Sequence, residues 1–139
     1  MKTLFFRCKV CGNVIVKVID SGAIPSCCNE QMESLNPNLI EKGQEKHVPV
    51  ATFINENELC VRIGSKPHPM LSEHHIEFIA VETEKNLHLT WLDEKPEAKI
   101  LIGTEKPKAV FEFCNIHGLW QTSTFISNEQ QKHFYDFFF

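Results

Sequence analysis

Between residues 47 and 126 the chain alternates short apolar runs with polar breaks. The runs are 47–54, 59–64, 74–83, 87–92, 98–103, 109–114 and 120–126. Most are rich in Val, Ile, Phe and Thr and are bounded by Asn, Gly, Lys-Pro or Glu-Lys, the pattern of short strands with turns between them. Thr83-Glu84-Lys85-Asn86 is a natural hairpin connection. Seven short strands in about a hundred residues predict an all-β body of the immunoglobulin-like sandwich type.

The flanks differ. Asn36-Pro37-Asn38 and Glu41-Lys42-Gly43-Gln44 carry breakers and no strand periodicity, so 37–44 reads as a linker between a head, 1–36, and a body, 45–126. Below ~40 residues a chain needs a metal or disulfides to hold a fold, so the head must be stapled. Ser127-Asn128-Glu129-Gln130 fits a capping box and predicts a short helix opening the tail, 127–139, which ends in Phe137-Phe138-Phe139. Docking of that end against the body is the simplest expectation, and a subunit contact is the alternative.

Composition narrows the class. The 139 residues are 42% apolar and 23% charged, which excludes a disordered chain and a collagen. No apolar run approaches the ~18–20 residues of a membrane span. The first ten residues offer only Leu4-Phe5-Phe6 before Arg7, too short for a signal-peptide core, so a cytoplasmic protein is expected. A net charge of −4, divided as +1 over 1–36 and −5 over 37–139, argues against general nucleic-acid binding. The six cysteines change the picture, because clustered thiols in a reducing compartment are more often metal ligands than bridges.

Four of them, Cys8, Cys11, Cys27 and Cys28, lie in the head. Cys8-Lys9-Val10-Cys11 has the C-x2-C spacing that grips one tetrahedral ion from a tight turn, and Gly12 lets the backbone curl after it. Cys27 and Cys28 are adjacent. In an extended strand they would point to opposite faces, so both reach one ion only from a distorted backbone, and a vicinal disulfide is the alternative. A tetrahedral S4 set suits zinc and iron equally.

Six of the seven histidines fall between His47 and His117. Strict alternation sends His74, Ile76 and Phe78 one way and His75 and Glu77 the other, so only one of the adjacent histidines can serve a given metal. His88 and His133 read as surface residues. In Cys114-Asn115-Ile116-His117-Gly118 the offset of three cannot share a strand face, so strand geometry must end near Cys114 and a turn must bring sulfur and imidazole together. Cys114 could instead be a core thiol, or bridge to Cys60, although the reducing compartment counts against a bridge. Cys60 reads as a packed, inert thiol.

Taken in order, these motifs resemble the superoxide reductases of the desulfoferrodoxin type. Cys8-x2-Cys11 with Cys27-Cys28 resembles desulforedoxin. Glu45-Lys46-His47-Val48-Pro49, His68-Pro69-Met70 with His74, and Cys114-Asn115-Ile116-His117-Gly118-Leu119-Trp120 resemble the neelaredoxin-like domain. The resemblance runs from about Phe6 to Trp120. It implies an Fe(Cys)4 centre on Cys8, Cys11, Cys27 and Cys28. It also implies a catalytic iron with His47, His68, His74 and His117 in a plane and Cys114 axial, the sixth position being open to substrate or taken by the Glu45 carboxylate. It further implies a homodimer and a rubredoxin-like electron donor.

On this resemblance the reaction is one-electron reduction of superoxide to hydrogen peroxide. A thiolate ligand pushes electron density onto iron, and neutral imidazoles leave a net positive site for an anion. The acidic body would repel superoxide, so capture must rest on local charge: Lys46 beside His47, with Lys66 and Lys42 nearby in the sequence. A non-catalytic electron carrier or zinc-stabilised binding module accounts for the head alone. A dismutase differs in stoichiometry.

Overall fold

The structure is a computed structural model that describes residues 3–41 and 46–127. It divides into two units, Met1–Asn36 and Pro37–Phe139. The described residues are all-β, and none of their segments is a helix long and apolar enough to cross a membrane. The capping box, the Phe-rich end, His133, Lys42 and Glu45 lie outside the described residues, wholly or in part.

In the first unit, β1 (Phe5–Arg7) is the centre of a three-stranded antiparallel sheet, flanked by β2 (Val14–Val16) and β5 (Glu33–Leu35). Between them β3 (Ser26–Cys27) and β4 (Glu30–Gln31) form a small hairpin. The core of this unit is Phe6, Cys8 and Met32, with Leu4 and Cys27 packed against them. So few apolar side chains cannot offset the ordering entropy of 36 residues, roughly 1–2 kcal/mol each for the backbone alone.

The second unit is a sandwich of two four-stranded sheets. One has the order β10-β7-β6-β13 and the other β12-β11-β8-β9. The strands are β6 (Pro49–Asn55), β7 (Glu58–Ile63), β8 (Ile76–Thr83), β9 (Leu87–Trp91), β10 (Glu97–Leu101), β11 (Pro107–Cys114), β12 (Gly118–Thr122) and β13 (Phe125–Ile126). Ala51, Leu59, Val61, Ile63 and Ile100 from the first sheet meet Ile76, Ile79, Val81, Val110 and Cys114 from the second. The sheets thus bury one apolar face each, and the Thr83–Asn86 connection closes as a hairpin, with Thr83 N donating to Asn86 O at 2.9 Å.

Three features depart from simple alternation. The seventh run breaks at Ser123-Thr124: β12 stays with β11, and β13 crosses to pair in parallel with β6, so eight strands build the sandwich rather than seven. Polar Thr122 and Ser123 make the break by accepting bonds from Thr124 N and from Gln121. Second, Cys114 pairs with Ile76 but Phe113 pairs with Phe78, leaving Glu77 as an extra residue. This β-bulge reverses the faces. Ile76 enters the core, whereas Phe78 turns away and stacks on Phe113 at 5.8 Å. Third, Cys60 lies between core residues Leu59 and Val61 and therefore points outward; it is half-buried, not packed in the core, and faces away from Cys114. All six cysteines are free.

The stretch read as a linker opens inside the second unit. Asn38 bridges β12 as a parallel neighbour: its N–H donates to Leu119 O and its carbonyl accepts from Gln121 N, both at 2.9 Å.

Candidate metal centres

In the head, Cys8 closes a tight turn. Its amide donates to Asn13 O at 2.8 Å, and Gly12 N donates back to Cys8 O at 2.9 Å. Gly12 sits at φ 83°, a left-handed conformation glycine adopts without a Cβ clash. On the facing hairpin, Cys28 (φ 52°) and Asn29 (φ 60°) are also left-handed. This is the distortion that vicinal ligands require, and it turns Cys27 and Cys28 to the same side. Cys11 Sγ lies 3.7 Å from Cys27 Sγ, and Cys27 Sγ lies 3.9 Å from Cys28 Sγ. All four sulfurs fall within 4.8 Å of one another.

The protons tell the same story. The Cys11 backbone N–H points at the Cys8 sulfur and brings that thiol down to about 7. The neighbouring thiols, Cys11 first, push Cys28 up to about 12 and raise Cys27 as well. Four thiolates cannot gather there unaided, because like charges this close disfavour one another. A bound cation removes that penalty, and a thiolate set in tetrahedral spacing fits zinc or iron.

In the body, the five candidate donors come from three junctions between strands. His47 precedes β6, His68 and His74 lie in the loop between β7 and β8, Cys114 is the last residue of β11, and His117 follows in the turn to β12. Their donor atoms also converge within 4.8 Å. The four imidazoles stand edge to face in a ring. Successive centroids are 4.6 Å (His47–His68), 4.7 Å (His68–His74), 5.0 Å (His74–His117) and 4.8 Å (His117–His47), with interplanar angles of 62–84°. The diagonal His47–His74 is longer, at 6.5 Å. The four rings thereby stand at the corners of a near-square. Cys114 Sγ lies 3.8 Å from both His68 Nε2 and His117 Nδ1. Cys114 is wholly buried and His117 is exposed, so the sulfur lies on the core side and the ring opens to solvent at His117.

Orientation is built into the surrounding bonds. His68 Nδ1 lies 2.8 Å from Pro69 O, which can only accept. The proton is therefore on Nδ1, and Nε2 turns a lone pair inward. His68 Nε2 and His47 Nε2 are 3.0 Å apart, so two nitrogens converge where one cation would sit. The His117 N–H donates to Cys114 Sγ at 3.4 Å. The His47 ring stacks on Trp120 at 4.7 Å and 14°. Both donor sets fit metal ions by chemistry and by convergence.

Several residues outside the two donor sets support or surround the body site. Asn115 ties the two ligand loops together: its Oδ1 accepts from His75 N at 2.8 Å and its Nδ2 donates to Glu73 O at 3.0 Å. Glu41 accepts from the amides of His47 and Val48. Glu112, two residues before Cys114, is fully buried in the sandwich, and burial, followed by the charge of Glu41, pushes its carboxyl up to about 9. Lys46 is half-buried next to His47. His75 turns outward to Glu77 at 2.9 Å, an interaction that raises its pKa, and His88 reaches Glu105 at 3.3 Å. Neither joins a donor cluster.

A family model described as desulfoferrodoxin matches residues 40–123. The chain is 41% identical over 118 residues to the desulfoferrodoxin homolog of Methanothermobacter thermautotrophicus, covering 83% of this chain and 94% of that one. It is 30% identical over 105 residues to the superoxide reductase of Pyrococcus furiosus, covering 55% of this chain and 85% of the relative. Among solved structures, it matches the superoxide reductase from Treponema pallidum with a TM-score of 0.75 at 27% identity, over 87% of this chain and 98% of that one.

Proposed function

Because the chain belongs to the desulfoferrodoxin family, we propose that it is a superoxide reductase, in which one superoxide, one electron from an external donor and two protons give one hydrogen peroxide. The observation that carries the reading is the convergence of four imidazoles and one thiolate within 4.8 Å around a solvent-open edge. On this reading His47, His68, His74, His117 and Cys114 hold the catalytic iron. Cys8, Cys11, Cys27 and Cys28 hold a second ion, iron or zinc. Iron in the body site supplies the one-electron reduction.

The chain's own residues set the conditions. Neutral imidazoles add no charge, so with one thiolate a ferrous site stays net positive and attracts an anion. The Pro69 carbonyl keeps the His68 lone pair inward, and the His117 N–H donates to the sulfur and moderates its electron donation. Burial of Cys114 keeps water from the thiolate, while exposure of His117 leaves an edge of the imidazole ring set through which superoxide would approach. By the resemblance of its motif, Glu45 would supply a carboxylate ligand to the oxidised metal. A cytoplasmic homodimer served by a rubredoxin-like donor completes the proposal.

The test is stoichiometry on iron-loaded protein. With a reducing donor, one peroxide per superoxide is expected; one peroxide per two superoxides with evolution of oxygen identifies a dismutase, and a colourless protein holding only zinc rejects the reading. Lys46 supplies local positive charge in an acidic body, and such patches raise association rates ~10-fold or more. Lys46→Ala should therefore slow the second-order reaction and flatten its salt dependence in pulse radiolysis. An unchanged rate and salt slope would remove Lys46 from substrate capture.

A further inference from the structure

We propose that Glu41 is the positioning residue that seats His47 in the body's donor cluster, at the end of a strap, residues 38–41, that is anchored to β12 through Asn38. The inference rests on reading that cluster as a metal centre. His47 lies outside any strand and is 2% exposed, so its backbone N–H is shut away from water and needs an acceptor. No ladder supplies one, because β6 begins only at Pro49. The Glu41 carboxylate does. His47 N donates to both of its oxygens, at 2.8 and 3.0 Å, and Val48 N donates to Oε1 at 2.7 Å. Bonds from amides to a charged acceptor are among the stronger ones available to a backbone.

The other contacts on this segment complete a three-sided seat. Asn38 is fixed to β12 by bonds to Leu119 and Gln121, which flank Trp120, and the Trp120 ring stacks on the His47 ring. The strap and the stacking partner thus share one anchor. Just past the end of β7, Gly64 (φ 79°) lies so close that a Cβ there would overlap the Lys46 carbonyl oxygen. The end of β7 therefore presses the Lys46–His47 backbone into place. The charge of Glu41 is also felt by buried Glu112 on the face of β11 that carries Cys114, which puts that charge in the neighbourhood of the ligands.

Without Glu41 the His47 amide loses its acceptor, the backbone ahead of β6 loosens, and one corner of the imidazole square loses its preset direction. Outer-shell partners of this kind change metal affinity ~10–100-fold. Removing a negative charge beside the site also favours the reduced, less positive metal, so its potential should rise.

The experiment compares Glu41→Ala, Glu41→Gln and Glu41→Asp with wild type in the full chain. Glu105→Ala serves as a matched control, because that carboxylate likewise accepts several bonds, from Thr83, Asn86 and His88, and lies just before the start of β11, at the opposite end of that strand from Cys114. For Glu41→Ala we expect amide exchange at His47 and Val48 to quicken ~10-fold or more in metal-free protein, body-site iron affinity to fall ~10–100-fold, and the ferric absorption band and potential to shift. The head centre of the same molecules should be unchanged. Glu41→Asp, which keeps both oxygens, should restore affinity better than Glu41→Gln, whose amide NH2 would face the His47 N–H. Wild-type exchange and affinity in Glu41→Ala would overturn the proposal, as would an equal band shift in Glu105→Ala. Should wild-type protein fail to reduce superoxide, the functional reading falls, while the exchange and affinity measurements still judge Glu41.

Discussion

Replacing Cys114 with serine should abolish superoxide reduction while leaving the head's metal in place. The sulfur is wholly buried, 3.8 Å from two of the four imidazoles, and accepts the His117 N–H. A serine hydroxyl is shorter, harder and not ionised near neutrality, so the proposed centre would keep its four nitrogens and lose the donor that pushes charge onto the metal. A directly bound donor should matter more than the ~10–100-fold typical of an outer-shell partner. Pulse radiolysis gives the second-order rate, and metal analysis with the visible spectrum reports the two centres separately. A Cys114→Ser protein that reduces superoxide at the wild-type rate would remove the sulfur from the chemistry.

The second large effect is expected in the head. Stripping its metal with a chelator, or replacing Cys8 with serine, should unfold residues 1–36 and leave the sandwich intact. A structural tetrathiolate contributes roughly 10–16 kcal/mol to folding, far more than Phe6, Met32 and their few neighbours can supply by burial. Cys8 is the choice of position because it is buried in that small core as well as being a proposed ligand, so the substitution removes packing and metal together. Hydrogen exchange of the full chain resolves the outcome: amides of β1, β2 and β5 should lose protection while those of β7, β8 and β11 keep it. Retained protection in a metal-free head would show that its strands stand without a staple. Because the body's candidate donors come from the second unit alone, superoxide reduction with an artificial reductant should survive this change.

How far these outcomes could be anticipated from the residues varies by element. The strands of the body were legible because a half-buried strand imposes period-2 alternation locally, and β7 and β9 follow the expected runs within a residue or two. The end of strand geometry at Cys114 was legible for a similar reason, since an offset of three to His117 needs a turn. The distortion at Cys28 and Asn29 was implied by two adjacent ligands. The bulge at Glu77 was not legible, because nothing in Ile76-Glu77-Phe78 distinguishes an extra residue from a paired one; the register with β11 decides it. Cys60 misled for a related reason: its strand alternates as expected, and only the position of the opposing sheet says which face is inside. Glu41 lies in the stretch of breakers and polar residues, where an acceptor for the His47 and Val48 amides looks like any solvated carboxylate.

By itself, then, the sequence determined what depends on neighbours along the chain: the all-β class, the segregation of thiols from imidazoles, and the tight turns that hold Cys8 with Cys11 and Cys114 with His117. Tertiary structure alone decided what depends on residues far apart. It closed four imidazoles from three separate segments into a square, turned one thiol inward and another outward, and carried β13 across to the opposite sheet. It also laid Asn38 and Glu41 against β12 and the start of β6. Spacing constrains the directions of side chains a few residues apart. Convergence over tens of residues is set by sheet register and by which faces the two sheets bury, and those are properties of the packed sandwich.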